Sequence, residues 1–320
     1  MQNAPRRLPP STRYFLGVSQ IHQMTQLTEA TLPTSGKTIY HLSITADDLA
    51  DNIIVMGDPD RVPAAGELLF DKSRPIFSRC HRGLATTTGY TPDGLRVSVV
   101  THGMGTGSTE IIINEIIALK CIDVETRTPK APPAGFVNII RVGTSGAIHS
   151  KTALGTSVIP KYVIGLDNTG LFYDVPVSEK VLELEGIVNK GIDDAIPEGH
   201  RFKGKIRSYV VEPSETVFDM LVEASKRLGL DYQVGITASA AGFFVSQGRH
   251  LFKENPMTID ALDSVLEKIS FDGLFVENFE MEMSAIAQVC KNIPWIRVGC
   301  LCLVVDNRRL RQFIEAQLLN

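Results

Sequence analysis

Two short segments of the chain combine arginine with glycine in a way that suits a tetrahedral anion. In Gly57-Asp58-Pro59-Asp60-Arg61 the glycine lets backbone N–H groups approach an anion closely and the proline stiffens the turn, while Arg61 adds a permanent charge on a planar donor fork. Taken alone, this segment reads more plainly as a tight turn carrying a surface arginine. In Arg141-Val142-Gly143-Thr144-Ser145-Gly146 an apolar run ends in an arginine followed by small hydroxyl and glycine residues. Such a nest of N–H and O–H donors beside a guanidinium is well formed to hold an oxyanion. Cys80-His81-Arg82-Gly83 reads by itself as a solvated basic stretch, and its case depends on the other two.

A different chemistry is offered by Phe243-Phe244-Val245-Ser246-Gln247-Gly248-Arg249. Gln247 is both donor and acceptor, and Arg249 only a donor, a set that can read adjacent carbonyl and imide edges of a pyrimidine while an aromatic ring covers its face. Glu280-Met281-Glu282 precedes a predicted helix, and i, i+2 spacing keeps the two acids off a common helical face. They are expected in the loop and first turn, either as a structural charge pair favoured by the helix dipole or as ligands. The glycine-rich Gly103 to Ser108 fits neither the GxGxxG nor the GxxxxGK[ST] spacing, which argues against dinucleotide binding.

Each of these segments needs an element to hold it. Short β-rich runs alternate with helical stretches from Ile39 onward, which predicts an α/β class, a three-layer α/β/α fold around a central mixed β-sheet. Strands are expected at Ile53 to Met56, Val137 to Val142, Val158 to Ile164, Gln233 to Ala238 and Ile296 to Val305. A hairpin is expected about Pro92-Asp93-Gly94. Helices are expected at Val62 to Leu69, after Gly107, at Ser178 to Lys190, at Val217 to Leu228, after Glu282, and after Asn307. Val217, Leu221, Ala224 and Leu228 recur at helical spacing and read as core. Asp123 to Gly135, with three prolines and little periodicity, reads as a surface insertion.

Of the 320 residues 43% are hydrophobic, enough for a sizeable core. No window approaches the roughly 18 consecutive apolar residues of a membrane span. A net charge of -4 is mild, which argues against wholesale binding of nucleic acid or an anionic membrane surface. Five cysteines in mostly apolar settings suit reduced thiols in a cytoplasm. Residues 1 to 36, basic and rich in Ser, Thr and Gln, read as a flexible extension or an arm that orders on a neighbour, with a transit peptide as the alternative. Residues 37 to 320 read as a single domain.

Taken in order, IYHLSIT, GDPDRV, CHRG, GMGTGS, RVGTSGAI, ITASAAGFFVSQGR and ENFEMEMSA resemble the uridine phosphorylase branch of the nucleoside phosphorylase family, from about Ile39 to about Arg308. The resemblance implies reversible phosphorolysis of uridine to uracil and ribose 1-phosphate. Gly57, Arg61, Arg141 and Thr144 match phosphate-holding positions, and Arg82 matches an arginine donated by the partner subunit. Glu280, Met281 and Glu282 match the ribose segment, and His41 matches a histidine that reaches across a homodimer to the ribose 5'-hydroxyl. Phe243, Gln247 and Arg249 match the base site. Arg141, Gln247 and Arg249 are the expected catalytic residues, with inorganic phosphate as co-substrate and no cofactor required. Gly83 follows Arg82 where some bacterial relatives carry an acid for an interfacial cation, which argues against that cation here. Purine phosphorolysis with Asp306 as an acid is the rival reading, Asp306 as a helix cap the plain one. A binding protein without turnover is the third.

Overall fold

A computed structural model describes residues 26–314. The expected 1 to 36 extension lies largely outside that range. Its described part, from Gln26, packs on the Asp123 to Gly135 insertion. There Leu27 N–H donates to Arg127 O at 2.9 Å, and the Arg127 guanidinium reaches Glu29 at 3.1 Å and Thr34 Oγ1 at 2.9 Å. The insertion is therefore more ordered than its composition implied, and it contains a two-residue hairpin, Ile122–Asp123 with Thr128–Pro129.

Twelve strands form one mixed sheet. In chain order they are β1 (Asn52–Met56), β2 (Phe77–His81), β3 (Leu84–Tyr90), β4 (Arg96–Thr101), β5 (Val137–Ala147) and β6 (Ser157–Gly165). They continue with β7 (Tyr209–Val211), β8 (Tyr232–Ser239), β9 (Ser270–Phe271), β10 (Leu274–Glu280), β11 (Ile296–Asn307) and β12 (Gln312–Phe313). The lateral order is β9-β10-β8-β6-β11-β5-β1-β4-β3-β2. β1 runs parallel to β4 and β5, and β5 parallel to β11. The end of β5 also pairs antiparallel with β10, Gly146 against Phe279. That extra pairing closes a ring of five strands, β5-β11-β6-β8-β10, and so draws the C-terminal end of β5 against that of β10.

Among the described residues six α-helices pack around the sheet: α1 (Arg61–Leu69), α2 (Thr106–Cys121), α3 (Glu179–Asp194), α4 (Glu215–Leu228), α5 (Leu262–Glu267) and α6 (Met283–Cys290). Strand alternation sets the layers. Ile53 and Val55 of β1 join the core of α2 and α6, whereas Ile54 and Met56 turn to the opposite face beneath α1. Likewise Val298, Cys300 and Cys302 of β11 face α6, while a Cβ on Gly299 would overlap Val217 Cγ1 of α4 on the other side. Glycine thus lets α4 approach its strand closely. The α/β class, the central mixed sheet and every predicted central strand are present. No helix among the described residues is long and apolar enough to cross a membrane.

Three expectations are corrected. Leu228, read as core, is 66% exposed: it closes the last turn of α4, where the left-handed Gly229 ends the helix. Among the described residues no helix begins after Asn307; the chain turns at Arg308–Arg311 and returns as β12 beside β11. Finally, β5 does not stop at Val142 but runs to Ala147, so the RVGTSG segment is strand, its donors held by ladder geometry and not by a loop.

Gly299→Ala should lower the unfolding free energy by about 1–3 kcal/mol through overpacking against Val217. Denaturant unfolding of both proteins measures it, and an unchanged midpoint would contradict the packing.

Candidate active site

Arg141 sits mid-strand, paired in register with Cys300 of β11 and Val55 of β1. Only 4% of it is exposed. A buried guanidinium requires compensation, and three groups supply it. Its Nε lies 2.9 Å from Glu280 Oε2, its Nη2 pairs with Glu282 Oε2, and its Nη1 donates to Cys302 Sγ at 2.6 Å. A side chain at 143 would occupy the space of the Arg141 fork, so Gly143 is the residue that leaves room for it.

The two carboxylates are fixed by the strand-to-helix turn from β10 into α6. Glu280 Oε2 accepts from the backbone N–H of Glu282 and of Met283, each at 3.0 Å, and Ser239 Oγ donates to its other oxygen. Glu282 Oε1 accepts from Gly105 N–H at 2.7 Å. Both expected roles are therefore present in one arrangement: Glu280 satisfies orphan donors at the helix start, and the pair brackets the arginine. Burial raises both carboxyl pKa values. At Glu280 burial wins and the pKa stays raised, whereas at Glu282 the attractions of Arg141 and His102 outweigh it and hold the group below its ordinary value. Of the two, Glu280 is the one that takes up a proton first.

Above this floor lies a cavity of about 520 Å³. It is lined by Gly57 and Arg61, by Arg141 and Thr144, by Glu280, Met281 and Glu282, and by Phe243, Gln247 and Arg249. Arg61 is partly exposed, with Asp58 3.7 Å from its Nε. Gln247 is 3% exposed, and its backbone carbonyl accepts from Arg308. Arg249 lies 3.7 Å above the Phe243 ring, donates to Phe243 O at 3.1 Å, and pairs with Asp306. The third side of Asp306 faces Gly146, where a Cβ would come within 3.1 Å of its carboxylate.

Two of the expected residues are elsewhere on the protomer. His41 and Arg82 lie together on the far side of β4, outside this cavity. Arg82 and Gly83 have φ of 54° and 77° and form the two-residue loop between β2 and β3. Glycine at 83 is thus accounted for by a turn that needs positive φ twice. The pocket also uses residues that sequence reasoning passed over. Met104, 82% exposed, hangs at the mouth from the glycine-rich turn, and Phe279, Val305 and Phe313 add apolar wall. Met104 and Phe279 stood inside quoted motifs, but nothing in their spacing marked them; Phe313 was hidden by the expected helix. Asp306 is neither a helix cap nor free, since its main partner is Arg249. No group of three or more His, Cys, Asp or Glu side chains is placed to hold a metal among the described residues.

A mixed sheet carrying buried carboxylates around a mid-strand arginine defines a class, and the sequence profile of the Phosphorylase superfamily matches residues 51–316. The chain belongs to that superfamily. Among its relatives it is 30% identical over 279 residues to the uridine phosphorylase of Thermococcus kodakarensis, covering 87% of this chain and 80% of that one. It is 26% identical over 281 residues to the Escherichia coli uridine phosphorylase, covering 87% and 90%. A solved Trypanosoma brucei nucleoside phosphorylase, described as showing uridine phosphorylase activity, superposes with a TM-score of 0.79 at 28% identity, covering 90% of this chain and 94% of that chain.

His102 adds a pH signature to the site. Its Nδ1 donates to Gly103 O at 2.7 Å, and its Nε2 is buried with no partner among the described residues. Burial, then the nearby Arg141, pulls its pKa down from 6.5 to about 4. As pH falls, the unfolded chain therefore takes up this proton before the folded one, and stability is lost from about pH 6.5 downward until the folded group also protonates. Over that window wild type should lose about 3 kcal/mol more than His102→Asn. Parallel pH profiles of the two proteins would contradict it.

Proposed function

We propose that this chain catalyses reversible phosphorolysis of uridine, yielding uracil and ribose 1-phosphate, and acts as a pentosyltransferase in pyrimidine nucleoside salvage and catabolism. The observation that carries the reading is that Arg61, Arg141, Gln247, Arg249, Glu280 and Glu282 all line one cavity. Relatives described as uridine phosphorylases along most of the chain support it.

Cleavage of the N-glycosidic bond develops positive charge on the sugar and negative charge on the base. Phosphate would bind at Gly57, Arg61 and Thr144, with the buried Arg141 supplying a fixed positive field from the floor. Glu282, with Glu280 and Met281 beside it, would hold the ribose hydroxyls. Phosphate then attacks the anomeric carbon as the bond to the base breaks, and its own negative charge stabilises the oxocarbenium-like carbon. Gln247 and Arg249 would hydrogen-bond the departing uracil anion, an interaction stronger in the transition state than in the ground state. Phe243 packs on the base and keeps Arg249 over its ring. No cofactor is required beyond phosphate as co-substrate.

Arg82 and His41 would complete a neighbouring copy's site, the phosphate and the ribose 5'-hydroxyl respectively, so the working unit is a homodimer. Five free thiols fit a reducing, cytoplasmic setting. A broader or purine-directed specificity is the second reading, favoured by one observation: Asp306 lines the base end and its Oδ1 is buried without a partner. Greater turnover of inosine than of uridine would select it.

Uridine should be converted only when phosphate is supplied, and Arg249→Ala should lower the rate roughly 100-fold, about 3 kcal/mol. Product identification with and without phosphate checks the first, and a loss under about threefold would contradict the assigned role of Arg249. Mixing inactive Arg82→Ala with inactive Arg249→Ala under conditions of subunit exchange should restore activity, because hybrid dimers contain one intact site. Mixtures as inactive as their parents would contradict a shared site.

A further inference from the structure

His41 and Arg82 are 41 residues apart in sequence, yet the segments that carry them are tied together at three points. Arg79 Nη2 donates to Ser43 Oγ at 2.9 Å, His81 Nδ1 to His41 O at 2.9 Å, and Arg82 Nη1 to Tyr40 Oη at 3.2 Å. The Arg82 guanidinium stands 5.3 Å from the Tyr40 ring centre, and the rings of Tyr40 and His41 meet edge to face at 4.9 Å. Beneath them lies Glu115 of α2, 7% exposed, on a helix whose other buried positions are mostly apolar. An acid there would be costly without donors, and all its described donors come from the His41 segment. Glu115 Oε1 accepts from His41 N–H at 2.8 Å and meets His41 Nδ1 at 2.7 Å, and Oε2 accepts from Leu42 N–H at 2.9 Å. A carboxylate only accepts, so Nδ1 carries the hydrogen. Nε2 makes no hydrogen bond among the described residues, and the side chain is 29% exposed.

We infer that Glu115 is a positioning residue for the reaction: it fixes the Nδ1–H form and orientation of His41, leaving Nε2 to receive the ribose 5'-hydroxyl of substrate bound in the neighbouring copy. The inference rests on the proposed role of His41 and extends it to a residue that never touches substrate.

The test compares uridine with 5'-deoxyuridine, which lacks the hydroxyl, in wild type, Glu115→Gln, Glu115→Asp and His41→Ala. Glutamine cannot accept all three donors, and aspartate keeps the charge but not the reach. Either substitution at 115 should raise KM for uridine roughly tenfold, the value of one hydrogen bond, with kcat little changed. Both should leave 5'-deoxyuridine kinetics at the wild-type level. His41→Ala should show the same pattern, and adding Glu115→Gln to it should cost nothing more. If His41→Ala distinguishes the two substrates and the Glu115 variants do not, the inference is overturned. If His41→Ala distinguishes nothing, the underlying role of His41 fails instead. Nitrogen-15 histidine shifts of the wild-type protein provide a check that needs no variant: the His41 hydrogen must be on Nδ1, and finding it on Nε2 overturns the inference.

Discussion

One buried cation organises the site. Arg141 occupies the middle of a central strand, where isolated charge is untenable, and it is retained only because Glu280 and Glu282 meet it from the start of α6. That requirement dictates much around it. β5 must reach β10 to bring the carboxylates close, which the ring of five strands achieves. Position 143 must lack a side chain, and Gly105 must offer its N–H to Glu282. Removing one member of such a group leaves an uncompensated charge, a cost of about 3–5 kcal/mol. The same residues that face the pocket therefore also secure the packing of α6 on the sheet.

A second pair has the same logic at lower burial. Arg249 is held by Asp306 and by the Phe243 ring before any ligand arrives. Held in advance, the guanidinium loses less freedom on meeting a ligand. The opposing carboxylate tempers its charge, so the field it presents to the cavity depends on how Arg249 divides its donors between Asp306 and that ligand.

Much of this was legible because strands and their termini obey period two. Ile53 to Met56, Ile296 to Val305 and the hairpin at Pro92-Asp93-Gly94 were visible as short β-rich runs beside turn residues, and the arginines of RVGTSG and GDPDRV stood out by chemistry. What failed did so for long-range reasons. The extension of β5 to Ala147 comes from pairing with β11 and β10, which local propensity cannot see, since threonine, serine and glycine read as a loop. Leu228 kept helical spacing but falls in the last turn of α4, exposed where Val217 is buried. Tyr40 stood inside a quoted motif with nothing to mark it and Glu115 in none, and their importance emerges only when α2 and the β2–β3 hairpin are brought together in space. The separation of His41 and Arg82 from the cavity was implied by resemblance alone, never by spacing.

The central claim is that a phosphate and a pyrimidine share one cavity over the Arg141 floor. A crystal structure of the protein with phosphate and uracil tests it most directly. The account predicts the anion beside Arg61, Arg141 and Thr144, with an Arg82 guanidinium from the partner subunit against it and the base between Phe243 and Gln247. An anion bound away from Arg61 and Arg141, or uracil outside the Gln247 end, would contradict it.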